Sequence, residues 1–206
     1  MESNDTYEID FSQRNPEKQT DPLFYKRWSP RSFKQESISP DTATCIMDAA
    51  RWAPSCFNEQ PWLIVTSTAG ENDFNDFLDL LIDKNREWAR NACMLGFIFA
   101  RKNFSSGGKP NRWSFFDCGA AWMNLTLQAR KLGLYTHGMG GIKRKKACQA
   151  LNVSEEEYDV VCGFAVGALD TPDKLPQENR EREIPSPRKS LSEIWRQGKQ
   201  PVVHSP

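Results

Sequence analysis

The sequence predicts a single domain of the α/β or α+β class, a mixed sheet with helices packed on its faces. Three observations lead there. Short apolar, β-branched runs at 62–66, 93–100 and 160–168 read as buried strands. Segments with apolar residues at helical spacing alternate with those runs. A chain of 206 residues is long enough for one sizeable core and short for two.

The elements follow in chain order. Residues 1–24 are polar and unpatterned and read as an extended arm; 25–200 form the domain and 201–206 a tail. Ser39 and Pro40 have the chemistry of a helix cap and first helical position. Ala43, Ile46, Met47 and Ala50 then make an apolar stripe, and Pro54 stops the helix. Trp62–Thr66 is a strand between Pro61 and Ser67. A helix over 71–90 would place Phe74, Phe77, Leu78, Leu81 and Trp88 on one face. After the 93–100 strand, residues 101–113 are basic and glycine-bearing and read as a mobile surface loop. The helix at 114–132 has no charge between Asp117 and Arg130, and its apolar residues circle it. Such a helix must be buried on several sides, as a central core helix or at a subunit interface. Gly133 suits its C-terminal end. Leu191, Ile194 and Trp195 add a short apolar patch.

Composition removes several classes of function. Lys plus Arg equals Asp plus Glu at 27 each, so net charge gives no drive toward nucleic acid or an anionic membrane. No apolar stretch reaches the length of a transmembrane helix, and no signal peptide is expected. Six cysteines stand without any C-x-x-C pair, which fits reduced thiols of a cytoplasmic protein better than a disulfide frame or a metal site.

Four constellations could carry chemistry. In extended backbone, Arg27, Ser29 and Arg31 point the same way, so two guanidinium forks flank a hydroxyl as in a phosphate clamp; a solvated basic turn is the plain alternative. Ala53-Pro54-Ser55-Cys56-Phe57-Asn58-Glu59-Gln60-Pro61-Trp62 joins stiff backbone to short donors, as the wall of a planar ligand site would, or as a tight helix-to-strand connection would. Cys56 with His137 as base would be the only thiol-nucleophile arrangement, and it lacks an orienting third group. His137-Gly138-Met139-Gly140-Gly141 offers bare backbone but neither a P-loop nor G-x-G-x-x-G spacing. The four cations at 143–146 that follow fit a solvated helix face, and the absence of interleaved aromatics argues against RNA. Arg188-Lys189, before the terminal apolar patch, is weak by itself.

Taken in order, these segments resemble the FMN-dependent nitroreductase family. The resemblance rests on R-x-S-x-R at 27–31, A-P-S-x-x-N-x-Q-P-W at 53–62, a D-x-G-A-A-x-x-N-L-x-L-Q-A-x-x-L-G-L helix and an R-K-x-L-x-E-I close, spanning 27–196. It implies an α+β subunit in an intertwined homodimer, with FMN at the interface and the 114–132 helix at its centre. It implies hydride transfer from NADH or NADPH to a nitroaromatic, quinone or related acceptor by ping-pong kinetics, with flavin N5 rather than a side chain carrying the hydride. Arg27, Trp28, Ser29 and Arg31 would hold the phosphate and the flavin's polar edge, and Arg188 and Lys189 would close on the phosphate. Met139, Gly140 and Gly141 would line the ring system. Pro54, Ser55, Cys56 and Asn58 would approach it from the other chain, with Cys56 standing where a second serine is common. A flavin-dependent dehalogenase, a metabolite dehydrogenase and a non-catalytic flavin-binding regulatory module are the alternatives.

Overall fold

A computed structural model describes residues 7–199. In chain order, helix α1 spans Pro22–Lys26, α2 Pro40–Arg51, strand β1 Trp62–Thr68, α3 Phe74–Asp79, α4 Asp83–Ala89 and β2 Met94–Arg101. Then come α5 Ser114–Lys131, β3 Tyr135–Met139, α6 Arg144–Ala150, β4 Tyr158–Gly167, α7 Gln177–Arg180 and α8 Leu191–Ile194. The tail beyond 199, with His204, lies outside the described residues, as do the first six residues of the arm.

The strands form one four-stranded sheet in the order β1-β2-β4-β3. All three pairings are antiparallel, so the mixed sheet expected from alternating strands and helices is corrected. The β1–β2 and β3–β4 connections join antiparallel neighbours, whereas α5 carries the chain from β2 across β4 to β3, which runs parallel to β2 without pairing with it.

Period-two alternation divides the core between the two faces. Leu95, Phe97 and Phe99 of β2 face one cluster with Phe33, Phe77, Leu81, Trp88, Tyr135 and Met139. Met94, Ile98 and Ala100 face the other, with Ile46 and Ala50 of α2 and Cys118, Ala121, Leu125 and Ala129 of α5. A register shift between Ile98 and Phe99 changes the parity of β4, so Val160 joins the first cluster and Phe164 the second. On the second face the Phe164 ring lies over Gly96, where an added Cβ would fall 2.3 Å from Cζ. Trp122 packs on the same ring at 5.5 Å and itself covers Gly138.

The capped start of α2 forms as expected, with Ser39 Oγ accepting from Thr42 N at 3.1 Å. α5 also ends as expected, Gly133 following it at φ +81. The helix expected over 71–90 is two helices. Between them, Leu80 to Ile82 are drawn into strand-like pairing: Leu81 bridges Ile142, Ile82 N donates to Gly141 O, and Leu80 O accepts from Lys143 N. All five apolar residues of the expected stripe are nevertheless buried. The arm is docked rather than loose, because Tyr7, Ile9 and Phe11 pack half-buried on the first cluster.

α5 is buried on one side only. Its sheet-facing residues are covered, while Phe115, Phe116 and Met123 remain 49%, 75% and 44% exposed. Among the described residues no helix is long and apolar enough to cross a membrane.

Candidate functional site

The segment 27–33 lies along the β3 edge of the sheet. Its alternation is the one extended backbone dictates: Arg27, Ser29 and Arg31 are half-exposed, and Trp28, Pro30 and Ser32 are buried. Trp28 turns into the core against Tyr135 at 6.3 Å, so its side chain contributes packing and not a contact with an open surface. His137 of β3 bonds the segment through Nδ1 to Pro30 O at 2.9 Å and stacks on Trp88 at 4.6 Å. Burial lowers the His137 pKa to about 4, and the Arg31 and Arg27 charges push the same way against the Pro30 hydrogen bond, so the ring is neutral near pH 7.

The main chain of the clamp is fixed from across the chain by Glu183. Its Oε1 accepts from Arg31 N at 2.6 Å and Ser32 N at 2.7 Å, and its Oε2 lies 3.7 Å from the Arg31 guanidinium. Glu183 is 4% exposed; burial raises its pKa, while the two main-chain donors and Arg31 pull it back. Sequence reading missed Glu183, because a lone glutamate among charged neighbours at 178–183 has no local signature.

Arg27 points elsewhere. It donates to Ser29 Oγ at 3.2 Å and has no carboxylate partner among the described residues. Burial lowers its pKa and the Arg188 charge lowers it further. Among the described residues Arg188 donates to Ser186 and Pro187 oxygens, and Lys189 lines the adjoining cavity. Thus the structure brings Arg27, Ser29, Arg188 and Lys189 into one basic neighbourhood, with Arg31 directed to Glu183.

The glycine turn continues the same edge. Met139 is 2% exposed and belongs to the core. Gly140 is exposed, and Gly141 is pressed against α4, where an added Cβ would lie 2.5 Å from Ile82 Cδ1.

The loop 53–62 is placed at the other edge. Cys56 N donates to the buried Asp117 Oδ2 at 3.1 Å at the start of α5, Gln60 N donates to Ser55 Oγ, and Glu59 accepts from Ser105 N and Oγ. Pro54 and Asn58 are exposed. Three non-glycine residues within four positions are left-handed: Phe57 at φ 53, Asn58 at 57 and Gln60 at 49. Such backbone costs energy and marks a loop held for a purpose. Thr126, nine residues along α5 from Asp117, meets Thr136 of β3 at 2.8 Å. The loop and the β3 edge are therefore about 14 Å apart along the helix axis. Cys56 and His137 lie on opposite sides of the sheet, and no thiol–imidazole pair forms.

Among the described residues no cluster suited to a metal ion occurs. The arrangement defines an α+β domain with a basic edge, a bare glycine turn and a separate rigid loop. The nitroreductase family matches residues 25–168, more than half of the chain, and the chain belongs to that family. A solved oxidoreductase containing FMN is 38% identical with a TM-score of 0.88, covering 92% of this chain and 97% of its own. A nitroreductase solved with FMN from Desulfovibrio desulfuricans is 22% identical with a TM-score of 0.67, covering 89% and 100%, and shows a shared fold. A protein of Archaeoglobus fulgidus assigned as an NADH dehydrogenase/NAD(P)H nitroreductase is 27% identical over 154 residues, 73% of this chain and 83% of its own.

Proposed function

We propose that this chain is an FMN-dependent, cytoplasmic oxidoreductase that takes hydride from NADH or NADPH and reduces a nitroaromatic, quinone or related small acceptor. The observation that carries the reading is a basic neighbourhood: Arg27 bonded to Ser29 Oγ, with the Arg188 charge acting on it and with Arg188 and Lys189 lining the adjoining cavity. A phosphate monoester fits that place, since it neutralises both cations and accepts from the hydroxyl. The residues present therefore fit FMN.

FMN, when bound, would supply the hydride-transfer chemistry between NAD(P)H and the acceptor. Arg27, Ser29, Arg188 and Lys189 hold the phosphate. Arg31, kept in place by Glu183, would be the cation available to the flavin's polar edge, where positive charge would favour the reduced form. Gly140, whose Cβ position is open, would let the ring system approach main chain, while Gly141 lets that turn pack on α4 and Trp28 and Met139 support the wall from the core.

Pro54, Ser55, Cys56 and Asn58 serve the cofactor of a second copy in a homodimer. Their separation of about 14 Å from the β3 edge within one chain supports this, as does the exposed apolar side of α5 with Phe116 and Met123. Donor and acceptor occupy one pocket in turn, and parallel initial-rate lines are expected; intersecting lines would exclude that order.

The decisive measurement is the absorbance spectrum of purified protein after FMN is added, followed by NAD(P)H oxidation. Arg27→Ala should weaken FMN binding about 10- to 150-fold, the scale of one hydrogen bond to a charged group. Wild-type protein that takes up no FMN overturns the reading.

A further inference from the structure

The family match begins at residue 25, yet the basic neighbourhood extends upstream of it. Arg14, on the docked arm, donates through Nη1 to Tyr25 O at 2.9 Å and Arg27 O at 3.3 Å. Its guanidinium therefore grips the main chain on both sides of Lys26 and sets where Arg27 leaves the backbone. Its Nε is buried with no hydrogen-bond partner among the described residues. It also lines a cavity of about 440 Å³ between the arm and α8, together with Arg188, Lys189, Thr20, Phe24 and one carboxylate, Glu17. Burial lowers the Arg14 pKa, and the charges of Arg188 and Arg27 lower it further, so three cations share this place.

Partly burying a third guanidinium beside two others is unfavourable unless anions join them, and the cavity holds one carboxylate, Glu17, for three cations. A structural tether alone would not need a charge, because a neutral amide can donate to two carbonyls as well. We propose that Arg14 is a further cofactor-binding residue: it adds a third positive charge to the phosphate site and positions Arg27 within it, so that the N-terminal arm is part of the site. This rests on the FMN reading above and assigns that site a residue outside the matched region.

The test compares FMN with riboflavin, which carries the same ring and ribityl chain without the phosphate. Both are titrated by flavin fluorescence into the flavin-free full-length protein, as wild type, Arg14→Gln and Arg14→Lys. Arg14→Gln should weaken FMN about 10-fold or more and riboflavin less than 2-fold, the loss of one charge-assisted contact. Arg14→Lys should recover part of the FMN affinity. An unchanged FMN affinity in Arg14→Gln overturns the proposal. Equal weakening of both flavins also overturns it, leaving only a main-chain tether. Should Arg14→Gln fail to fold, Arg14→Lys decides: retention of the FMN-over-riboflavin preference supports the charge role, and its loss refutes it. Failure of wild-type protein to bind either flavin would strike the FMN reading instead.

Discussion

The clamp segment at 27–33 and the loop at 53–60 reach rigidity by opposite routes. The clamp has ordinary extended backbone and stores its tension as charge, with Arg14, Arg27 and Arg188 crowded together and Glu183 buried beneath Arg31. The loop has little charge and stores its tension as backbone, with Phe57, Asn58 and Gln60 left-handed. Charge tension is released by an anion, so the clamp is suited to ligand capture. Backbone tension is not released by a ligand, so the loop is suited to being a fixed wall.

The comparison breaks most readily at Glu183. Glu183→Ala leaves Arg31 N and Ser32 N without their acceptor and Arg31 without its counter-charge, and should cost about 3–5 kcal/mol of stability. Glu183→Gln keeps an acceptor at Oε1 and should cost distinctly less. Equal costs in denaturant unfolding would show that the charge, and not the main-chain bonding, fixes the clamp.

Acid should attack the clamp side next. His137 has a folded pKa of about 4 against 6.5 unfolded, so unfolding takes up a proton below 6.5. Its stabilising effect is complete above pH 6.5 and is lost progressively as pH falls to 4, to roughly 3 kcal/mol at most. His137→Gln should flatten that part of the stability–pH curve, and an unaltered slope would place the acid sensitivity elsewhere.

The loop side should yield the smallest effect and with opposite sign. Gln60→Gly relieves a left-handed conformation that costs a side-chain-bearing residue about 1–2 kcal/mol, offset by about 0.5–1 kcal/mol of glycine's greater freedom when unfolded. A small rise in melting temperature is expected. A fall would mean that the Gln60 side chain, which donates to Asn58 O at 2.9 Å, outweighs the strain.

Much of this was legible in the sequence, for identifiable reasons. The stripes of α2 and α5 and the strand runs are periodic, and periodicity follows burial directly. The facing of Arg27, Ser29 and Arg31 follows from strand geometry alone. Three features were hidden. The break at Leu80–Ile82 depends on partners at Gly141–Lys143 some sixty residues away. Glu183 and Arg14 act through main-chain groups, which have no residue type to recognise. The docked arm did leave a trace, since Tyr7, Ile9 and Phe11 alternate at period two, but three residues make a faint pattern.

The Phe164 ring between Gly96 and Trp122 constrains how this sheet can diverge. The void left by hydrogen at 96 is occupied by a ring from the adjacent strand, and Gly138 leaves space for the Trp122 indole in the same way. Volume in this layer is thus held in common by four positions on β2, β4, β3 and α5. A relative with a side chain at the equivalent of 96 should have lost the ring at 164, so an alignment of relatives should show those two columns exchanging bulk while the layer's thickness stays constant.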